Sequence, residues 1–224
     1  MLQMTRRRVL SGVTKLACAG MIIAVTACTS MDPTPPSGPV ATPVMLVAPE
    51  WRTRDRWVYD WTSGEQNGTK TIEVVETKTI NAVSYFVLRL DGVEHYYTKD
   101  LHWAAAVRES RVEARMVPPL PWFMWPLTAA QHWDHRGAFE DANGSRGFND
   151  RFTVVGLEQI DVPAGRFQAM KVVREAVQVA REGERRDFDE YWYSADVRWY
   201  VRWVGRRGDV AFEERLRAYQ PGRR

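Results

Sequence analysis

The chain has 224 residues, of which 31 are Lys or Arg and 28 are Asp or Glu, so its formal charge at pH 7 is +3. Four basic residues and no acidic residue lie in positions 1–27, which leaves 27 basic against 28 acidic residues, a balance of −1, in the remainder. This near-neutral balance removes the main support for nucleic-acid binding. Both cysteines, Cys18 and Cys28, lie in the first 28 residues, so the rest of the chain can form no disulfide and no cysteine metal site.

The N-terminus has the composition of an export signal. Arginines at positions 6–8 and Lys15 precede an apolar run over residues 16–27, which is shorter than the roughly 20 residues that a membrane helix needs. The run ends in Val25-Thr26-Ala27-Cys28, which resembles the bacterial lipobox, whose cysteine is acylated. We therefore predict a lipoprotein signal peptide over 1–27, lipidation of Cys28, and membrane attachment through the acyl chains.

Two further features concern the export route and the destination. Residues 5–10, Thr-Arg-Arg-Arg-Val-Leu, resemble a twin-arginine signal, although three arginines also make an ordinary basic start to a secretory signal. Thr29 follows Cys28 where an aspartate would stand in an inner-membrane lipoprotein, by resemblance to the sorting rule. We expect a lipid-anchored protein of the bacterial cell envelope, at the periplasmic face of the outer membrane rather than at the inner membrane.

Composition then divides the remaining chain. The segment 28–50 is rich in Pro, Thr and Ser and cannot bury much apolar surface, which predicts an extended tether. A single domain is expected over 51–219, long enough to bury a substantial core, followed by a short tail over 220–224.

Short alternating or β-branched runs fill this domain, separated by turns rich in Gly, Asn and Asp. Such period-2 runs predict antiparallel β-structure throughout. The clearest runs are Trp57–Trp61, Thr71–Val75, Tyr85–Leu90, Phe152–Val155, Phe167–Val173, Tyr191–Tyr193 and Trp199–Val204.

The domain also repeats itself. Residues Tyr97–Trp103 align with Tyr193–Trp199, and three weaker landmarks upstream occur in the same order. We expect two related β modules, over about 51–118 and 119–219, that form one strongly curved sheet. The predicted fold is thus all-β and antiparallel, a half-open barrel built from two modules.

One segment carries a family resemblance. Residues Val162–Val172, Val-Pro-Ala-Gly-Arg-Phe-Gln-Ala-Met-Lys-Val, resemble the V-P-A-G-x-F-x-A-x-K-V hairpin of the DUF3108-like and TapB-like exported bacterial proteins. The aromatic strand and aspartate turn of that family resemble Tyr191–Val197 in the same way. The resemblance implies a fold similar to the half-open barrel of the periplasmic lipoprotein carriers LolA and LolB, and fold alone does not fix function.

Ten tryptophans suggest two uses of the interior. They could line a cavity for an apolar or lipid-like ligand, or they could form a packed core of aromatic pairs. The proline-rich segment 120–127 is either an exposed loop that covers a cavity or enters a membrane interface, or a crossover packed on the open barrel end. The candidate wall or lid residues are Trp103, Trp122, Trp125, Trp192 and Trp199.

Motifs for metal, cofactor or catalysis are absent from the sequence. His132 and His135 would point to opposite faces of a strand, and no nucleophile, phosphate-binding or zinc-binding pattern occurs. We therefore expect neither a metal nor a cofactor, and a non-catalytic role: binding of an apolar or lipid-like ligand as a carrier or envelope-maintenance factor. The alternative is a structural or partner-binding lipoprotein with a filled core, and the third possibility is a hydrolase.

Overall fold

A computed structural model describes residues 44–181 and 183–222. The predicted signal peptide, the lipidation site Cys28 and most of the tether lie outside the described residues. The regular elements of this part are all strands: β1 Met45–Leu46, β2 Arg56–Ser63, β3 Gln66–Ile80, β4 Val83–Leu90, β5 Val93–Thr98, β6 Trp103–Arg108, β7 Arg111–Leu120, β8 Leu127–Thr128, β9 His132–Asp141, β10 Gly144–Val162, β11 Gly165–Ala180, β12 Gly183–Ser194, β13 Trp199–Arg207 and β14 Val210–Gln220.

Twelve antiparallel strands form one closed barrel. The hydrogen-bonded order is β10-β11-β12-β13-β14-β2-β3-β4-β5-β6-β7-β9, and β1 pairs separately with β8. The predicted all-β antiparallel barrel is confirmed. Its half-open form is corrected, because β7 and β9 complete the ring and so leave no free edge.

The closing contact is short, and prolines explain why. Residues 114–117 of β7 pair with residues 141–138 of β9, and the pairing stops at Pro118 and Pro119. Proline has no N–H to donate to a ladder. Beyond the prolines, Leu120 pairs instead with Trp103 of β6. The half-open form was implied by the family resemblance, whereas here these four residue pairs close the sheet.

The barrel consists of two consecutive six-stranded meanders, β2–β7 and β9–β14. Their irregularities coincide with the repeated sequence landmarks. The register shifts after Val74 in β3 and after Val154 in β10, and again beside Tyr97 in β5 and Tyr193 in β12. Bulges at matching places bend both meanders alike.

One end of the barrel interior is filled by aromatic side chains. They come from the start of β2 and β13, the end of β12, the middle of β4, and the segments before β2 and after β7, and neighbouring ring centroids are 4.6–6.0 Å apart. We call the following buried residues the aromatic plug: Trp51, Trp57, Phe86, Phe123, Tyr193 and Trp199. No helix in the described residues is long and apolar enough to cross a membrane.

The proline-rich segment 120–127 packs onto the barrel end, as the crossover interpretation expects. Phe123 and Leu127 are buried, Trp122 is half-buried, and Met124 and Pro126 are exposed. Phe123 enters the aromatic plug and contacts Tyr193 with ring centroids 5.1 Å apart. The segment is therefore part of the core.

Candidate functional site

A cavity of about 460 Å³ lies inside the barrel, beside the aromatic plug. Its walls come from both meanders, because inward-facing residues alternate with outward-facing ones along each strand. Most of the lining is apolar or aromatic: Ile72, Leu88, Leu90, Tyr97, Trp103, Met116, Leu120, Trp122, Phe123, Phe139, Phe148, Tyr191, Trp199, Tyr200 and Trp203. The volume falls in the range of about 300–1,000 Å³ typical of small-molecule sites.

Charged residues line the same cavity in paired form. The Lys70 ammonium lies 2.5 Å from Glu214 Oε1, and Tyr200 Oη donates to Glu214 Oε2 at 2.7 Å. Tyr59 in turn donates to the Tyr200 carbonyl at 2.7 Å. Both oxygens of the Glu214 carboxylate are therefore occupied by partners within the barrel wall.

Arg174 forms the centre of a second ionic group. Its Nη2 lies 2.6 Å from Asp150 Oδ1 and its Nη1 lies 2.7 Å from Asp189 Oδ2, with all three side chains almost fully buried. Arg207 Nη2 also binds Asp189, at 2.7 Å, and His135 Nδ1 lies 2.8 Å from Asp150. We call Asp150, Arg174, Asp189 and Arg207 the buried ionic network.

Gly205 makes room for this network. A Cβ atom at position 205 would lie 2.7 Å from Asp189 Oδ1 and would also overlap the Phe212 ring. A real Cβ does not approach an oxygen so closely, and thus any larger residue would displace Asp189.

His95 is the histidine of the cavity wall. Its Nδ1 accepts a hydrogen bond from Trp103 Nε1 at 3.3 Å. Burial, followed by the charge of Lys70, lowers the pKa of His95 to about 4. The imidazole is therefore neutral at physiological pH and adds no charge to the cavity.

Three of the five predicted wall or lid residues line the cavity: Trp103, Trp122 and Trp199. Trp103 stacks on Phe139 with ring centroids 5.9 Å apart, and Trp122 contacts Tyr191 at 4.7 Å. Trp199 joins the cavity to the aromatic plug, since its ring centroid is 4.6 Å from that of Trp51.

The other two predicted wall or lid residues, Trp125 and Trp192, do not line this cavity. Trp125 packs behind Phe123, which does line the cavity, and its Nε1 donates to the Asp100 carbonyl at 3.0 Å. Trp192 follows the inward-facing Tyr191 on β12 and so lies on the outer face. There its Nε1 donates to Glu158 at 2.7 Å.

Sequence reasoning missed most of the polar lining. Arg174 follows two valines in β11, but Lys171 and Glu175 lie close to it in the same strand, so the sequence does not mark it as a buried, paired arginine. The sequence could not assign three further lining residues, Tyr191, Tyr200 and Trp203, because either face of a strand rich in aromatic residues can be the inner one.

The histidine pair of β9 is separated by the strand alternation. His132 is exposed, whereas His135 is buried against Asp150 and lies 3.2 Å from the Pro118 carbonyl. Within residues 44–181 and 183–222, no cluster of three or more His, Cys, Asp or Glu side chains is placed to hold a metal ion.

No family model matches the sequence, and no curated protein matches it. Solved structures do resemble the fold. The crystal structure of an inferred lipoprotein from Parabacteroides distasonis aligns with a TM-score of 0.50 and 11% identity, over 78% of this chain and 99% of that one.

Two further crystal structures also align with this chain. An inferred exported protein with a YmcC-like fold from Bacteroides fragilis aligns with a TM-score of 0.51 and 9% identity, over 79% of this chain and 100% of that one. The hypothetical lipoprotein YmcC from Escherichia coli aligns with a TM-score of 0.43 and 10% identity, over 75% and 86%. The first two alignments show that this chain shares the fold of lipoprotein and exported proteins; the DUF3108-like and LolA-like resemblances stay predictions.

Proposed function

We propose that this protein is a lipid-anchored envelope lipoprotein that binds an apolar or lipid-like molecule inside its barrel, without catalysis, as a carrier or envelope-maintenance factor. Acyl chains on Cys28 would hold it at the periplasmic face of the outer membrane, and the tether would set the barrel's distance from the bilayer. The fold shared with lipoprotein and exported proteins supports a cell-envelope location.

The cavity is the observation that carries this proposal. Protein interiors are normally packed as densely as organic crystals. Here about 460 Å³ stays open beside a fully packed plug, and the surrounding walls are mostly aromatic and aliphatic. Burial of apolar ligand surface against such walls is favourable by about 25 cal/mol per Å² before the costs of association.

The lining favours binding over catalysis. It contains no Ser, Thr or Cys side chain. His95 is engaged by Trp103, and Glu214 is engaged by Lys70 and Tyr200. No nucleophile among the lining residues therefore stands beside a free general base, which is the arrangement that hydrolysis by covalent catalysis requires.

Native mass spectrometry of the mature chain with Cys28→Ser tests the proposal. The chain is exported with an ordinary secretory signal peptide and recovered from the bacterial periplasm without detergent. We expect an additional mass of lipid size that disappears on unfolding. A clean apoprotein mass that stays unchanged after incubation with envelope lipids would overturn the binding function and support the scaffold alternative, a structural lipoprotein with a filled core.

A further inference from the structure

Two buried donors in the cavity wall have no acceptor. In the described part of the chain, four buried side-chain N or O atoms lack a hydrogen-bond partner: Arg146 Nε, Tyr191 Oη, Ser194 Oγ and Trp199 Nε1. Two of these, Tyr191 and Trp199, belong to residues that line the cavity. Buried donors are nearly always satisfied in native proteins, because an unmade hydrogen bond leaves the full cost of desolvation.

The charged groups of the wall, by contrast, are all matched. Lys70 is paired with Glu214, Arg174 with Asp150 and Asp189, and Arg207 with Asp189. Three cations therefore face three carboxylates. A ligand carboxylate or phosphate would add an uncompensated charge beside Glu214, and a ligand ammonium would do the same beside the arginines.

Tyr191 is placed to donate a neutral hydrogen bond. Burial, together with the Asp189 charge, raises the pKa of its phenol well above the ordinary value, so that the hydroxyl keeps its proton. Its ring is stacked on Trp203, with centroids 5.0 Å apart. Trp199 Nε1 is a donor in every state, and it lies at the plug side of the same cavity.

A half-buried ring packs against the ring of Tyr191 in this structure. The Trp122 ring has the shortest centroid distance to Tyr191 of any aromatic neighbour, 4.7 Å, and the Arg174 guanidinium lies 5.4 Å from the Trp122 ring centroid. Because the Tyr191 hydroxyl is buried, a ligand atom would reach it only if this indole moved aside. Trp122 would then act as the lid that the sequence suggested.

We propose that the bound molecule is an uncharged amphiphile, of the acyl-ester class, whose carbonyl oxygen accepts a hydrogen bond from Tyr191 Oη while its hydrocarbon part occupies the aromatic cavity. This inference rests on the proposed binding function and specifies the ligand's polar group. It assigns Trp199 Nε1 as a second donor for an acceptor atom deeper in the cavity.

A competition assay tests the ligand class. N-phenyl-naphthylamine, whose fluorescence rises in apolar sites, reports occupancy of the cavity in the mature Cys28→Ser chain. Methyl octanoate, octanoate and 1-octene then compete for it. They share the hydrocarbon tail and differ in whether they carry a neutral acceptor, a charged acceptor or none. We expect the ester to displace the reporter at about five- to tenfold lower concentration than either competitor, as one net hydrogen bond implies.

Tyr191→Phe removes only the hydroxyl and is expected to abolish the ester's advantage over 1-octene. Tyr85→Phe is the matched control, because Tyr85 lies on the outer face of β4 and should leave the ranking intact. Circular dichroism and thermal unfolding verify that both variants fold.

The outcomes separate the two proposals. If the reporter binds but octanoate competes best, or if Tyr191→Phe leaves the ester's advantage unchanged, the ester inference is wrong and the binding function stands. If neither the reporter nor any competitor binds the unmodified chain, both are wrong.

Discussion

The two parts of the barrel interior are built on the same strands and differ in what fills them. The aromatic plug is a continuous set of ring contacts with almost no exposure. The neighbouring part contains an open cavity and the buried ionic network. Charged groups that need fixed partners cannot relax into the space beside them, because any shift would leave a buried charge unpaired. The network therefore holds the cavity walls apart, while the plug provides most of the packing.

The largest expected effect comes from breaking the ionic network. Arg174→Leu leaves Asp150 and Asp189 buried without their main cation, which should lower the free energy of unfolding by about 3–5 kcal/mol. Urea unfolding followed by tryptophan fluorescence measures the change. Arg151→Leu is the control, because the Arg151–Asp134 pair is exposed and screened by solvent, so its loss should change stability far less. Equal losses in the two variants would contradict a structural role for the network.

The second prediction concerns acid and the cavity wall. Burial, then the charge of Lys70, holds the His95 pKa at about 4, against 6.5 for an ordinary histidine. The unfolded chain takes up this proton below about pH 6.5 and the folded chain only near pH 4. The stabilising contribution of His95 is therefore complete above pH 6.5 and is lost as the pH falls toward 4. Between pH 7 and pH 5 the loss should be about 2 kcal/mol.

His95→Asn isolates that contribution. Its free energy of unfolding should fall less between pH 7 and pH 5 than that of the parent chain, by about 2 kcal/mol. His132→Asn, at an exposed position of β9, should keep the parent's pH dependence. A His95→Asn variant with the parent's pH dependence would show that His95 is protonated normally in the folded state.

The third prediction tests packing against space directly. Leu216 is fully buried away from the cavity, whereas Leu88 is 2% exposed and lines it. Leu216→Phe should cost about 1–3 kcal/mol through overpacking. Leu88→Phe should raise stability by about 0.5–2 kcal/mol by filling space, and it should weaken binding of N-phenyl-naphthylamine. Destabilisation by both substitutions to the same extent would mean that the cavity cannot accept additional atoms.

The sequence predicts the fold better than the site, for physical reasons. Period-2 alternation and the repeat Tyr97–Trp103 with Tyr193–Trp199 predict an antiparallel barrel of related halves, since both depend on local patterns. Closure could not be predicted because it depends on four residue pairs beside Pro118. The sequence also could not predict which face of β12 points into the barrel. Tyr191 and Trp192 are both large aromatic residues, and only the register with β11 and β13 turns Tyr191 inward.

The smallest stability effect is expected on that outer face. Trp192→Phe loses the hydrogen bond to Glu158 and weakens contacts with Lys171 and Arg202, whose charges lie 4.9 Å from the indole centroid. Glu158 is half-buried and can turn to water instead, so the cost should be about 0.5–1 kcal/mol. Affinity for N-phenyl-naphthylamine should stay unchanged. Trp199→Phe is the matched comparison, because Trp199 is as well buried but lines the cavity, and its replacement should change that affinity. If Trp192→Phe lowered the affinity for N-phenyl-naphthylamine as much as Trp199→Phe does, the binding site would extend beyond the barrel interior. The distinction between an inner face that binds ligand and an outer face with a structural role only would then be wrong.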